Sequence, residues 1–256
     1  MKVNDVMIAR TRFCPFKYPK KLIRDIFEGK FKMPIEEVTP YPTHNFTFRV
    51  YSKPPAFLKI SNPKRDVYNH FPEKGFGILM FLHKSGLNVP TPYYFFRVQT
   101  EKRTFSGYFA EWIEGINLYK FIYDYSKVPQ KELIERIEHI AKGIGSLVGK
   151  LHNLGLTHGD LALRNIIVTP KNDVYIVDFD YSIPIMFAFR NYDLFSIIRE
   201  VELGLYVIRD MKRGIVEHIL ELVEETYNKE TSLLKRTKAK LKIIKGLFRP
   251  DIPPLL

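Results

Sequence analysis

The sequence predicts an α+β fold of two lobes, a sheet-rich one over residues 1 to about 110 and a mainly helical one after it. Two observations carry that expectation. Short β-rich runs bounded by turn residues crowd the first part, and long stretches with helical spacing fill the second. With 256 residues and 45% apolar content, the chain can bury a substantial core.

The elements follow in order. Asn45 to Ser52 alternates, with Phe46, Phe48 and Val50 on one side and Thr47, Arg49 and Tyr51 on the other, which is a strand pattern. Lys53-Pro54-Pro55 turns the chain into a second strand, Ala56 to Ile60, where alternation sets Lys59 opposite Leu58 and Ile60 and off the packed face. Pro72 is placed to start a helix that runs to about Lys84 and ends before Gly86, with Glu73, Phe76 and Met80 on one side. Two aromatic strands follow, around Tyr93 to Val98 and Phe105 to Ile113. Helices at about Asn117 to Tyr125 and Gln130 to Leu154 come next. Asn165 to Val168 and Val174 to Val177 are β-rich runs around Thr169-Pro170-Lys171-Asn172-Asp173, which reads as a hairpin. The expected segments are 1–44 as an extension and the start of the first lobe, 45–110 as that lobe, 111–228 as a hinge and the second lobe, and 229–256 as a basic tail.

The most informative stretch is His158-Gly159-Asp160-Leu161-Ala162-Leu163-Arg164-Asn165, followed by Val174-Tyr175-Ile176-Val177-Asp178-Phe179-Asp180. Asp160 and Asn165 stand five apart, as in the loop H-x-D-x-x-x-x-N, and a second carboxylate closes an apolar strand. Phosphoryl transfer from ATP needs such groups. An aspartate orients the accepting hydroxyl and takes its proton, the role read for Asp160. Mg²⁺ prefers oxygen and takes few protein ligands, which Asn165 and Asp178 suit.

Composition excludes several other classes. Cys14 is the only cysteine, so an intramolecular disulfide or a cysteine-rich metal site is ruled out, and a reducing, cytoplasmic compartment is expected. Met1 to Arg12 has scattered charges rather than the continuous apolar run of a secretory signal. Net charge is +12, and from Lys229 to Arg249 eight Lys or Arg face Glu230 alone. Lys235, Lys238, Lys242, Lys245 and Arg249 would form one stripe on a helix. That stripe reads either as a solvated face or as a dock for RNA or an acidic membrane surface.

These residues resemble the protein-kinase-like superfamily in its atypical branch of short kinases. That branch holds RIO-type kinases, the small kinase of the archaeal tRNA-modification complex, lipopolysaccharide sugar kinases and small-molecule phosphotransferases. The resemblance covers roughly residues 45 to 205 and implies a bilobal fold with ATP and Mg²⁺ as cofactors. Position by position, Phe57-Leu58-Lys59-Ile60 is similar to the third-strand lysine motif, so Lys59 would contact the α- and β-phosphates with Glu73 as its acidic partner. Phe109 to Gly115 resembles the hinge, where the backbone of Glu111 and Ile113 would hold adenine, with Ile167 and Val177 beneath the base. Asn191-Tyr192-Asp193 looks like the start of the helix whose aspartate braces the catalytic loop.

The chain also departs from that pattern. No glycine lies between Lys30 and Lys74, so the glycine-rich phosphate loop is absent and a turn near Tyr41 to Asn45 is left to offer its amides. His158-Gly159-Asp160 lacks the arginine that reads an activation-loop phosphate, and Asp180 replaces the glycine of D-F-G. Fifteen residues separate Asp178 from Asp193, too few for the usual activation segment. The expected activity is an ATP-dependent kinase with an alcohol as acceptor, read first as a Ser/Thr protein kinase. A sugar, lipid-headgroup or other small-molecule kinase is the alternative within enzymes, and a pseudokinase scaffold binding RNA or a protein is the alternative outside them.

Overall fold

A computed structural model describes residues 2–38, 45–61, 71–124, 130–184, 187–205 and 211–231. The chain divides into two compact units, Met1–Ile113 and the part from Glu114 onward. The expected phosphate-loop turn from Tyr41 up to residue 44, and the tail from 232 on, lie outside the described residues.

The N-terminal unit is a six-stranded antiparallel sheet with a helix on each face. Its strands are β1 (Val3–Arg10), β2 (Ile35–Glu37), β3 (Asn45–Val50), β4 (Ala56–Ser61), β5 (Pro92–Thr100) and β6 (Thr104–Glu111), in the spatial order β1-β5-β6-β4-β3-β2. Helix α1 (Pro19–Phe27) opens on a proline at its first turn and lays Ile23 against Val6, Leu58, Tyr94, Phe96 and Phe109. Tyr94 and Phe109 stack at 4.8 Å in that layer. Helix α2 (Phe71–Lys84) takes the opposite face, where Phe76 meets Phe95 and Tyr108. Because α2 covers that face, Lys59 is buried at 3% exposure although it alternates away from Leu58. Its strand β4 is interior to the sheet, between β3 and β6.

The C-terminal unit is mainly helical. It comprises β7 (Ile116–Asn117), α3 (Leu118–Asp124), α4 (Gln130–Asn153), β8 (Leu156–Thr157), β9 (Ile166–Val168), β10 (Val174–Ile176), β11 (Ile183–Pro184), α5 (Phe187–Leu203) and α6 (Arg213–Glu230). Helices α4 and α6 pack closely because Gly145 has no side chain: a methyl group there would stand 2.3 Å from the Val223 carbonyl oxygen. The β9–β10 hairpin pairs Ile166 with Ile176 and Val168 with Val174, and turns through Asn172 at φ 65°. Beside it β7 joins β9, while β11 pairs with β8 on the other side of the signature loop. The chain after Asp178 therefore returns to the body within five residues, which is how so short a segment closes.

Candidate functional site

The loop between β8 and β9 carries the signature, and a buried polar frame holds it from beneath. Asp193 on α5 accepts hydrogen bonds from the backbone N–H groups of His158 (2.5 Å) and Gly159 (2.9 Å), and its Oδ2 lies 3.2 Å from His152 Nε2. His152 Nδ1 in turn shares a 2.9 Å hydrogen bond with the Tyr227 hydroxyl on α6. Burial alone would raise the Asp193 pKa. The hydrogen bonds from His152, His158 and Gly159 outweigh it and hold the carboxyl below its ordinary range.

His158 is fully buried and fixed in one tautomer. Its Nε2–H donates to the Val177 carbonyl at 2.9 Å, while Nδ1 accepts the Asp160 N–H at 3.3 Å. A neutral ring satisfies both contacts, and burial pushes its pKa down in agreement. Gly159 adopts φ 81°, and a side chain there would run into the Tyr181 backbone, 2.4 Å from its first carbon. No arginine fits at that position, which explains the departure seen in the sequence.

Asp160 and Asn165 face one another across the loop. The Asn165 Nδ2 group donates to the Asp160 carbonyl (2.8 Å) and to its Oδ2 (3.2 Å), which leaves the amide oxygen as the atom able to accept or coordinate. Arg164 Nη2 donates to Asp160 Oδ1 at 2.7 Å and Oδ2 at 2.8 Å. The spacing of Arg164, four residues on from Asp160, could have signalled that grip. The Val177 N–H donates to the Asn165 carbonyl at 3.0 Å, tying the residue before Asp178 to the same loop. Asp178 itself sits at φ 69°, a left-handed conformation rare outside glycine and concentrated at functional sites. Among the described residues no group of three or more His, Cys, Asp or Glu side chains is placed to hold a metal ion. One carboxylate and one amide oxygen nonetheless fit Mg²⁺, which keeps waters and phosphate oxygens as its other ligands.

The remaining expected residues are placed as follows. Ile167 on β9 and Val177 after β10 are both half-buried. Lys59, Glu73, Glu111 and Ile113 belong to the N-terminal unit. Glu73, in the first turn of α2, pairs with Arg97 Nη2 of β5 at 2.5 Å, a partner the sequence did not indicate. Glu111 ends β6 with its backbone N–H donating to the Thr91 carbonyl, while its carboxylate accepts from the Thr91 hydroxyl at 2.6 Å and amide at 3.1 Å.

Residues 72–243 match the model of the lipopolysaccharide kinase (Kdo/WaaP) family. The chain belongs to that family. Membership in the Kdo/WaaP family places the chain in the protein-kinase-like superfamily and accounts for its α+β fold of a sheet unit and a helical unit. The chemistry of the family is kinase chemistry, with an alcohol as acceptor. Among curated proteins, the KEOPS complex subunit Bud32 of Pyrococcus abyssi is 33% identical over 102 residues, 40% of this chain and 40% of that protein. The 3-deoxy-D-manno-octulosonic acid kinase of Vibrio parahaemolyticus is 42% identical over 43 residues, 17% of this chain and 18% of that protein. These matches thus span well under half of either relative. A solved structure of WaaP in complex with acyl carrier protein aligns with a TM-score of 0.53 at 17% identity, covering 88% of this chain and 100% of that one, and so shares the fold. No helix among the described residues is long and apolar enough to cross a membrane.

Proposed function

We propose that this chain transfers the γ-phosphoryl group of ATP to an alcohol, with Mg²⁺ as cofactor. The observation that carries the proposal is the Asp160–Asn165 pair on a loop pinned by Asp193, with Asp178 tethered alongside. Asp160 acts as the base. Its Oδ2 already receives Asn165 and Arg164, whereas Oδ1 receives Arg164 alone, so Oδ1 has the lone pair for the incoming hydroxyl. The Asn165 amide oxygen and the Asp178 carboxylate are the metal ligands. When bound, Mg²⁺ neutralises the phosphate oxygens and aligns them for in-line transfer.

In the same proposal Lys59 contacts the α- and β-phosphates, and Glu73 supports it by sharing its carboxylate with Arg97. Backbone groups of Glu111 and Ile113 hold adenine, and Ile167 and Val177 line the space under it. For the acceptor, the return of the chain into β11 five residues after Asp178 favours a small alcohol such as a sugar. The family description supports the same choice. A serine or threonine of a protein is the second reading, supported by a 32% match over 75 residues, 29% of this chain and 13% of that protein, to a probable serine/threonine-protein kinase of Dictyostelium discoideum. Binding of RNA or an acidic membrane through the tail remains a separate proposal resting on its charge.

The test is transfer of labelled γ-phosphate to a panel of sugars, small alcohols and proteins, with and without Mg²⁺. Loss of transfer in Asp160→Ala and Asp178→Ala, with folding retained, is the expected result. Wild-type protein that binds no nucleotide would overturn the enzyme reading in favour of a scaffold.

A further inference from the structure

We infer that the solvent face of α1 is a docking surface for nucleic acid, read through the phosphate backbone. Residues 1–113 carry nineteen Lys and Arg against nine Asp and Glu, which gives +10 of the chain's net +12. The concentration is highest around α1, where Arg10, Arg12, Lys17, Lys20, Lys21, Arg24, Lys30 and Lys32 face only Asp25 and Glu28. Helical geometry sorts them. Leu22, Ile23, Ile26 and Phe27 turn to the sheet, Lys21 and Arg24 lie on the opposite side, and Lys20 stands exposed at its edge, with Lys17 just ahead of the helix.

Local pairing leaves that charge uncompensated. Glu28 is engaged by Lys30 at 2.6 Å, and among the described residues no carboxylate lies within ion-pair distance of Lys17, Lys20, Lys21, Arg24 or Lys32. All five of these cations are exposed. Lys20 and Lys21 also stand in the first turn, where the helix dipole favours acidic residues, and α1 has neither an acidic residue there nor a side-chain cap. A helix that forgoes these stabilising groups for cations has the mark of a functional face.

The occupant follows from what the face lacks. The apolar side of α1 is packed on the core, so the helix cannot insert in a lipid surface, and its partner must be bound by charge; the vesicle arm of the experiment separates nucleic acid from an anionic bilayer. What remains is a cationic patch just over one helical turn long, roughly 6 Å along the axis from Lys20 to Arg24 with Lys17 ahead of it, which matches the spacing of neighbouring phosphates of a strand. Tyr18, 63% exposed beside Lys17, adds a ring on which a base can stack.

The experiment is salt-titrated binding of the full chain to a labelled RNA hairpin, with a DNA hairpin of the same sequence and phosphatidylglycerol vesicles as parallel arms. The variant Lys20→Gln/Lys21→Gln/Arg24→Gln is expected to weaken hairpin binding at least about tenfold near ~0.1 M salt and to reduce the log–log salt slope by about 2 to 3. In a second variant, Lys20→Glu/Lys21→Glu is expected to bind more weakly while melting at the same or a higher temperature, because acidic groups suit that helix end. Weaker binding together with a lower melting temperature in this variant would mean that the face merely holds α1 in place. Wild-type affinity and slope in the Gln variant overturn the inference, as does binding to vesicles without binding to either hairpin.

Discussion

Removing the Asp193 carboxylate would strand three groups at once, the His158 and Gly159 amides and His152 Nε2. A buried donor left without an acceptor costs about 1–3 kcal/mol, so Asp193→Ala is expected to lower stability by roughly 3 kcal/mol or more. Urea unfolding reads this directly, and an unshifted midpoint would remove the brace from the account of the loop. Arg164 is the opposite case. Its side chain is 60% exposed, so Arg164→Ala should change stability by less than about 1 kcal/mol. If its grip orients the base, phosphoryl transfer nevertheless falls by about tenfold or more. Acid bears on the same loop. The folded-state pKa of His158 lies below its unfolded value of about 6.5, so the unfolded chain takes up the proton first. That contribution is complete above pH ~6.5 and drains away as pH falls toward the folded value. Asp193, also depressed on folding, contributes above about pH 4 and loses its share as pH falls through its folded value. Melting temperature is therefore expected to drop in an upper and a lower stage, with His158→Gln flattening the upper one; an equally steep upper stage in that variant would contradict the assignment.

Elements differ in how plainly the sequence shows them, and the reasons are physical. The β9–β10 hairpin was legible because turn residues and two β-rich runs lie side by side, and α2 and α4 because proline, glycine and helical spacing mark them. Strand β1 was not. Its partner β5 is some ninety residues away, and the run Val3-Asn4-Asp5-Val6-Met7 breaks alternation where the register shifts between Val3 and Asp5. Strands β7, β8 and β11 span two residues each, too short for any period to show. Helix α1 was hidden by its own cations, which crowd the apolar positions in the sequence but stand on the other side of the helix. At the site, the order of Asp160, Asn165 and Asp178 was readable, whereas the Glu73–Arg97 pair depends on the packing of α2 against β5, which spacing does not encode. The hidden helix is testable: Ile23 is fully buried, so Ile23→Ala should cost about 2–5 kcal/mol. Lys20→Ala on the solvent side should stay within about 0.5 kcal/mol, and equal effects at both positions in thermal melts would mean that α1 is not docked by that face.

Charge is unevenly distributed along the chain, and residues 231–256 add seven Lys and Arg against Asp251 alone. Residues 114–230 hold fourteen Lys and Arg against eighteen Asp and Glu, so the part that carries Asp160, Asn165 and Asp178 is net acidic while the first 113 residues are strongly basic. An acidic surrounding repels a triphosphate, and the chain has no glycine-rich loop over the phosphates to offset that. Binding of nucleotide in this family member should therefore lean on the metal. A ligand that binds only the folded state stabilises it by RT ln(1 + [L]/Kd), about 2.7 kcal/mol at a hundredfold excess over Kd. For a chain of this size that corresponds to a rise in melting temperature of roughly 5–10 °C. ATP with Mg²⁺ is expected to produce a rise of that order, and ATP with a chelator a much smaller one. Asp178→Ala should erase the difference between the two conditions if Asp178 supplies the proposed metal ligand, while Lys59→Met should lower the rise in both if Lys59 makes the proposed phosphate contact. A shift that is equally large with the chelator would show that the acidic groups do not work through a divalent cation, and would return Asp178 to a purely structural part at its left-handed turn.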